Sequence, residues 1–120
     1  MSCFAQDEIY DTTLSVRMKG AKMDRIENGV PIFKISMSRL RKLETIECSD
    51  KSYKVESFIF VYGGKTFTIA EHHIKGNSFE LCFKDLASAG IVSLFYLEQI
   101  VTVDANGKKR ILRPIKVLVI

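Results

Sequence analysis

Two adjacent histidines, His72 and His73, are the residues here best suited to general-base or metal chemistry. They close an apolar, β-branched run. Neighbouring side chains on a strand point to opposite faces, so the two cannot chelate one metal in regular geometry. Each reads as an ordinary surface or half-buried histidine. The carboxylates Glu56, Glu71, Glu80, Asp85, Glu98 and Asp104 are scattered, with no spacing that implies an acid/base pair. Asp85 reads as a cap for the turn before Gly90. "GGKT", from Gly63 to Thr66, imitates the end of a phosphate-binding loop. That motif needs a glycine where Ile59 stands, and a helix after it whose amides point at phosphate. An aromatic and β-branched stretch follows instead. No serine sits in a strained turn with histidine and aspartate partners, and no cysteine has an obvious activating base. Cys3, Cys48 and Cys82 lack metal-like spacing. Cys48 and Cys82 are either bridged in an oxidising compartment or two buried free thiols. These patterns predict a non-enzymatic domain with no cofactor and no metal site.

The elements that would position these residues belong to one domain, since the chain has 120 residues. That length buries a core without staples. Hydrophobic residues make up 47% and charged residues 27%, a globular balance. The net charge of +4 bears on solubility and encounter. The basic clusters at Arg39, Arg41 and Lys42 and at Lys108 to Arg113 have no interleaved aromatics for base stacking, which argues against nucleic acid. No apolar run is long enough to span a bilayer. Residues 1–6, "MSCFAQ", resemble the end of a clipped export signal, leaving residues 7–120 as the domain.

Thr12 to Met18 reads as a strand, "KGAKMDRIENGVP" as a polar loop with a turn at Asn28-Gly29, and Ile32 to Ile35 as a short strand. Met37, Leu40, Leu43 and Ile46 recur at a spacing that predicts an amphipathic helix, capped by Ser36 or Ser38. Gly63-Gly64 suits a two-residue hairpin turn. Phe60 would then face Phe67, Phe58 would face Ile69, and the core face would carry Phe58, Phe60, Tyr62, Phe67 and Ile69. "SFELCF" reads as a strand, "KDLASAG" as a helical turn, and "IVSLFYLEQIVTV" as a long strand. Asn106-Gly107 predicts a final two-residue hairpin, with Asp104 facing Lys109, Thr102 facing Ile111 and Val101 facing Leu112. Pro114 cannot donate to a ladder, which predicts an edge strand or a bulge there. About seven short strands with one or two short helices describe an all-β, immunoglobulin-like β-sandwich.

From about Ile35 onward the motifs fall in a familiar order. Val55, Ser57 and Phe58 form a "VxSF" strand, Gly76-Asn77 a "GN" turn, and Gly90 precedes a long strand. Asp104, Gly107, Arg110, Leu112, Pro114 and Ile115 approach a "DG..RKL.PI" ending, with Ala105-Asn106 splitting Asp from Gly. Taken together these resemble the C-terminal domain of the GldM/PorM family, components of type IX secretion and gliding motility in Bacteroidetes. The resemblance implies an immunoglobulin-like sandwich, a periplasmic location, and a scaffolding role among cell-envelope proteins such as secretion components. Members of that family carry a membrane helix and further periplasmic domains ahead of this one, which this sequence does not show. The alternative is a ligand- or peptide-binding sandwich, or a small enzyme, of the cell envelope.

The interface expectation rests on the closing stretch. Leu118 and Ile120 share one face of the last strand with Lys116, and one sheet cannot bury both faces alone. The helix at residues 37–46 or a partner, including a second copy of the chain, would cover them. The candidate interface is therefore Asn106, Lys108, Lys109, Arg110, Leu118 and Ile120.

Overall fold

The computed structural model describes residues 14–63, 69–89 and 93–120. In chain order the elements are β1 (Val16–Met18), β2 (Lys22–Glu27), β3 (Val30–Ile35), α1 (Met37–Leu40), β4 (Ile46–Cys48), β5 (Lys54–Gly63), β6 (Ile69–Lys75), α2 (Glu80–Ala89), β7 (Leu94–Val103), β8 (Lys109–Leu112) and β9 (Ile115–Val119). The fold is an all-β sandwich with unequal layers, as the strand and turn pattern predicts. The large sheet runs β2-β3-β9-β7-β5-β6, with β8 also paired to β7; the small sheet is β1-β4. β3 and β9 pair parallel, and the other pairs are antiparallel.

One face of the large sheet carries the core. Phe58, Phe60, Leu97, Phe95, Ile115 and Val117 are buried there, with Val16 and Ile46 of the small sheet, Leu40 of α1, Phe79 just ahead of α2 and Cys82 of α2 packed over them. Phe60 is the centre, its ring 5.2 Å from Tyr62, 5.4 Å from Phe95 and 5.9 Å from Phe79, centroid to centroid. Such tilted and edge-on pairs are the favoured aromatic geometries.

Several elements differ from the sequence reading, each for a local reason. The supposed polar loop is a hairpin: β2 and β3 flank a two-residue turn at Asn28 and Gly29, φ 51° and 79°. Such a double left-handed turn matches the twist of paired strands. β2 lies at the sheet edge and every residue of it is exposed, which is why it shows no apolar alternation. The helix stops at Leu40. Its cap is Ser36, whose Oγ accepts the Arg39 N–H at 3.3 Å. Two tight turns follow, and Ile46 opens β4, yet Leu40, Leu43 and Ile46 are all buried as the stripe requires. "ELCF" is the start of α2, not a strand. Phe79 and Cys82 are buried while Leu81 is exposed, a helical spacing of three rather than a β spacing of two.

The β5–β6 register also departs from expectation. Phe60 faces His72 and Phe58 faces Ile74. Gly63 is the last residue of β5 and faces Ile69; Gly64, Lys65 and Phe67 of the expected turn lie outside the described residues. Phe79 and Phe95 pack beside Phe60, a role the sequence reading gave to Phe67. The N-terminal residues read as an export signal, Cys3, and the side chain of Asp85 lie outside the described residues as well.

The last hairpin is shifted by one residue. Thr102 faces Arg110, Val101 faces Ile111 and Val103 faces Lys109. Asp104 does not pair with Lys109. Its Oδ1 accepts the N–H groups of Asn106 and Lys108, both at 2.9 Å, and its carbonyl accepts the Gly107 N–H at 3.0 Å. With Gly107 at φ 83° this is a three-residue loop closed by a glycine bulge, which displaces the two-residue turn. β8 and β9 lie end to end along β7 in one register, interrupted at Arg113-Pro114. Proline removes a ladder donor there. β7 carries a bulge at this level, with Gln99 at φ 44°, but it is a bulge against β5 and leaves the register with β8 and β9 unbroken. β8, paired with β7 alone among the described strands, is an edge segment as Pro114 predicts, whereas β9 is interior, between β3 and β7.

Candidate interaction surface

The closing strand shows how the two sheet faces divide. Ile115 and Val117 are buried in the core, whereas Lys116 and Leu118 point to the outer face and are half-buried. α1 does not cover Leu118; its Leu40 joins the core on the opposite face. At the strand's end the Met37 N–H donates to the Ile120 carbonyl at 3.1 Å. The small sheet and both helices contribute to the core cluster on the inner face.

Cross-strand register lays out the outer face. Arg25, Ile32, Lys116, Tyr96, Val61 and Glu71 stand side by side in one row across six strands. Lys34, Leu118 and Leu94 form the next row toward one end; Glu98, Ile59 and His73 form the next toward the other. Ile32 and Val61 are buried on this face, Leu94, Leu118, Tyr96 and Ile59 are half-buried, and the Lys116 ammonium lies 6.0 Å from the Tyr96 ring centroid. The middle of this face is apolar and its margins are charged.

The six expected interface residues do not form one patch. Asn106 and Lys108 are exposed at the tip of the β7–β8 hairpin. Lys109 is engaged by Glu56 at 2.9 Å. Arg110 lies opposite Thr102, whose Oγ1 donates to the Arg110 carbonyl at 3.0 Å. Leu118 lies eight residues farther along, about 26 Å at ~3.3 Å per residue. Ile120 is 71% exposed, beyond the end of β9.

A second surface was not anticipated. Three concavities meet at Gly20, in the turn between β1 and β2. One, about 750 Å³, is floored by Val16, Met18, Met23 and Phe33. The second, about 430 Å³, is lined by Lys19, Ser38, Arg39 and Lys42. The third, about 400 Å³, reaches Lys22, Lys34, Met23 and Ile120. Gly20 has φ 90°, and a Cβ there would lie 2.9 Å from the Arg39 Cδ, so the arginine stem rests directly on the glycine. The sequence shows the cations Arg39 and Lys42 in and after α1, but nothing in it brings them to Gly20.

At the rim, Asp24 is held by Arg25 and by Lys34 at 3.4 Å, and Arg25 also reaches Glu27 at 2.7 Å. The hydrogen bond from Arg25 chiefly holds the Asp24 carboxyl below its ordinary pKa, and Glu27 and Asp24 raise that of Arg25. Lys19, Lys22, Arg39 and Lys42 form no ion pair with a described residue.

For chemistry, the histidines part as expected. His72 lies on the inner side, stacked on Tyr62 at 5.8 Å and 6°, and His73 is exposed on the outer face. Cys48 and Cys82 are both buried and do not bridge each other. No group of three His, Cys, Asp or Glu among the described residues could hold a metal. Among them, too, no helix is long and apolar enough to cross a membrane. A concavity of about 350 Å³ beside β4 and β5 is lined by Glu47, Cys48, Lys51, Tyr53, Lys54 and Asn77. The chain matches no model of a known protein family and no curated protein.

Proposed function

We propose that this domain is a non-catalytic protein–protein interaction module of a cell-envelope scaffold, as its resemblance to the GldM/PorM C-terminal domain implies. In this reading it works in the periplasm, and its partners are other envelope proteins, secretion components among them. The observation that carries it is the outer face of the large sheet. Leu94, Leu118, Tyr96 and Ile59 stand half-buried on adjacent strands, between charged margins. Six strands spaced about 4.8 Å apart make this face about 24 Å wide, a width suited to a standard protein interface. Completing the burial of such side chains is worth about 1 kcal/mol each, a fraction of the ~1.5–3 kcal/mol for full burial.

The test is affinity capture from a periplasmic extract of the native host, with the tagged full chain as bait. Envelope or secretion proteins should be enriched, and Leu118→Lys should abolish their capture without changing the circular dichroism spectrum or melting temperature. A bait that captures nothing specific would refute the scaffold reading. If Leu118→Lys unfolds the domain, Leu118 is a core residue and the face is misassigned.

A further inference from the structure

The surface around Gly20 has a different character from the outer sheet face. Its floor is apolar, with Met18, Met23 and Phe33. Met23 is 49% exposed on an edge strand. Its rim is mostly basic, with Lys19, Lys22, Arg39 and Lys42 and no carboxylate paired to any of them among the described residues; Arg17 and Glu47 also border the concavity of about 750 Å³. Asp24 is already engaged by Arg25 and Lys34. Like charges gathered around a concavity repel one another and raise the local concentration of anions.

Arg39 is the best-placed of these cations. Its stem lies on Gly20, where any side chain would meet it, so the guanidinium is presented from a supported position. Arginine presents a planar fork that matches a carboxylate with two parallel hydrogen bonds. A lone phosphate would use the cations but not the apolar floor. A purely apolar segment would use the floor but leave the cations unpaired. A short peptide that alternates acidic and apolar side chains uses both.

We infer that the groove meeting at Gly20 docks an acidic, apolar-anchored segment of a partner protein. Its carboxylates lie on Arg39, Lys42 and Lys19, and its apolar side chains enter the floor by Met18, Met23 and Phe33. This rests on the reading of the domain as an interaction module, but its anchoring residues, Arg39, Lys42, Lys19, Met18, Met23 and Phe33, lie off the row of Leu118, which the groove meets only at Lys22 and Lys34. Charge attraction of this kind sets encounter rate and selectivity, and it weakens with salt.

The probe is a short fluorescein-labelled peptide alternating Glu and Leu, titrated with the full chain and read by fluorescence anisotropy. Saturable binding is expected, weakened at least about tenfold by the double change Arg39→Glu, Lys42→Glu and progressively by added salt. Both positions are on the surface rim, and an unchanged melting temperature keeps the comparison valid. Leu118→Lys should bind the peptide like the wild type. Equal binding of a Lys-Leu peptide, or full binding by the double variant, would overturn the inference. So would complete competition by inorganic phosphate, which would mark a small-anion site. Tighter binding after deletion of residues 1–13 would identify the chain's own Asp7–Asp11 stretch as the occupant and overturn the partner assignment. Envelope proteins captured by the wild type and by the double variant, but not by Leu118→Lys, would sink the groove and leave the scaffold reading standing.

Discussion

Phe60 and Ile59 are neighbours in β5 with opposite fates, and that contrast tests the face assignment on which every surface argument depends. Phe60 is fully buried, with the rings of Tyr62, Phe79 and Phe95 within 5.9 Å. Phe60→Ala removes those contacts and leaves a cavity that a ring of aromatics cannot readily close, at a cost of about 3–5 kcal/mol. A chain of 120 residues has a total stability of roughly 6–18 kcal/mol, so this is a large share of it. Its unfolding entropy of about 0.25 kcal/mol per kelvin turns that into a melting decrease of about 12–20 °C. Ile59 lies on the outer face and is half-buried. Ile59→Ala should cost less than about 1.5 kcal/mol, under about 6 °C by the same conversion. Thermal melts followed by circular dichroism give both values. Equal losses, or a larger one at Ile59, would show that β5 is turned the other way and that the face assigned as outer is the core.

Other expectations follow from individual contacts. Asp104→Ala removes the acceptor of two backbone N–H groups and should lower stability by about 1–2 kcal/mol in urea titration, with faster amide exchange at Asn106 and Lys108. The Asp24 pKa is lowered on folding, chiefly by Arg25 and then by Lys34, so its stabilisation is present above the unfolded-state value and is lost as pH falls through the folded one. The stability gap between wild type and Asp24→Asn should therefore close in acid; a gap that widens there would contradict the ion cluster. Cys48 and Cys82, both buried, should react with a thiol reagent only at the rate of unfolding, and fast labelling of either in the native protein would place it at the surface.

Much of the strand content was legible because it depends on nearest-neighbour chemistry. The apolar alternation of β5 and the central run of β7 follow from pleating, and Asn28-Gly29 marks a turn whatever surrounds it. The adjacent histidines divide between faces for the same reason. Elements whose signal is ambiguous or silent went astray. "SFELCF" carries apolar residues at spacings that fit both periods, and the packing of Phe79 and Cys82 under the sheet decides for a helix. β2 has no buried side to write a pattern, so only its pairing with β3 reveals it.

The candidate surfaces divide in the same way. By itself the sequence determined that Leu118 and Lys116 share a face, that Ser36 can cap a helix, and that Arg39 and Lys42 are cations on a polar side, because these follow from local geometry within a few residues. Register was decided by tertiary structure: an Asp104 side chain that captures two amides shifts the last hairpin by one residue, and that choice depends on three-dimensional hydrogen bonding. Tertiary structure also placed β9 inside the sheet, since a parallel partnership between β3 and β9 joins segments about eighty residues apart and leaves no local trace. The meeting of Gly20 with Arg39 is of the same kind, a close approach between a turn and a helix that no spacing along the chain encodes.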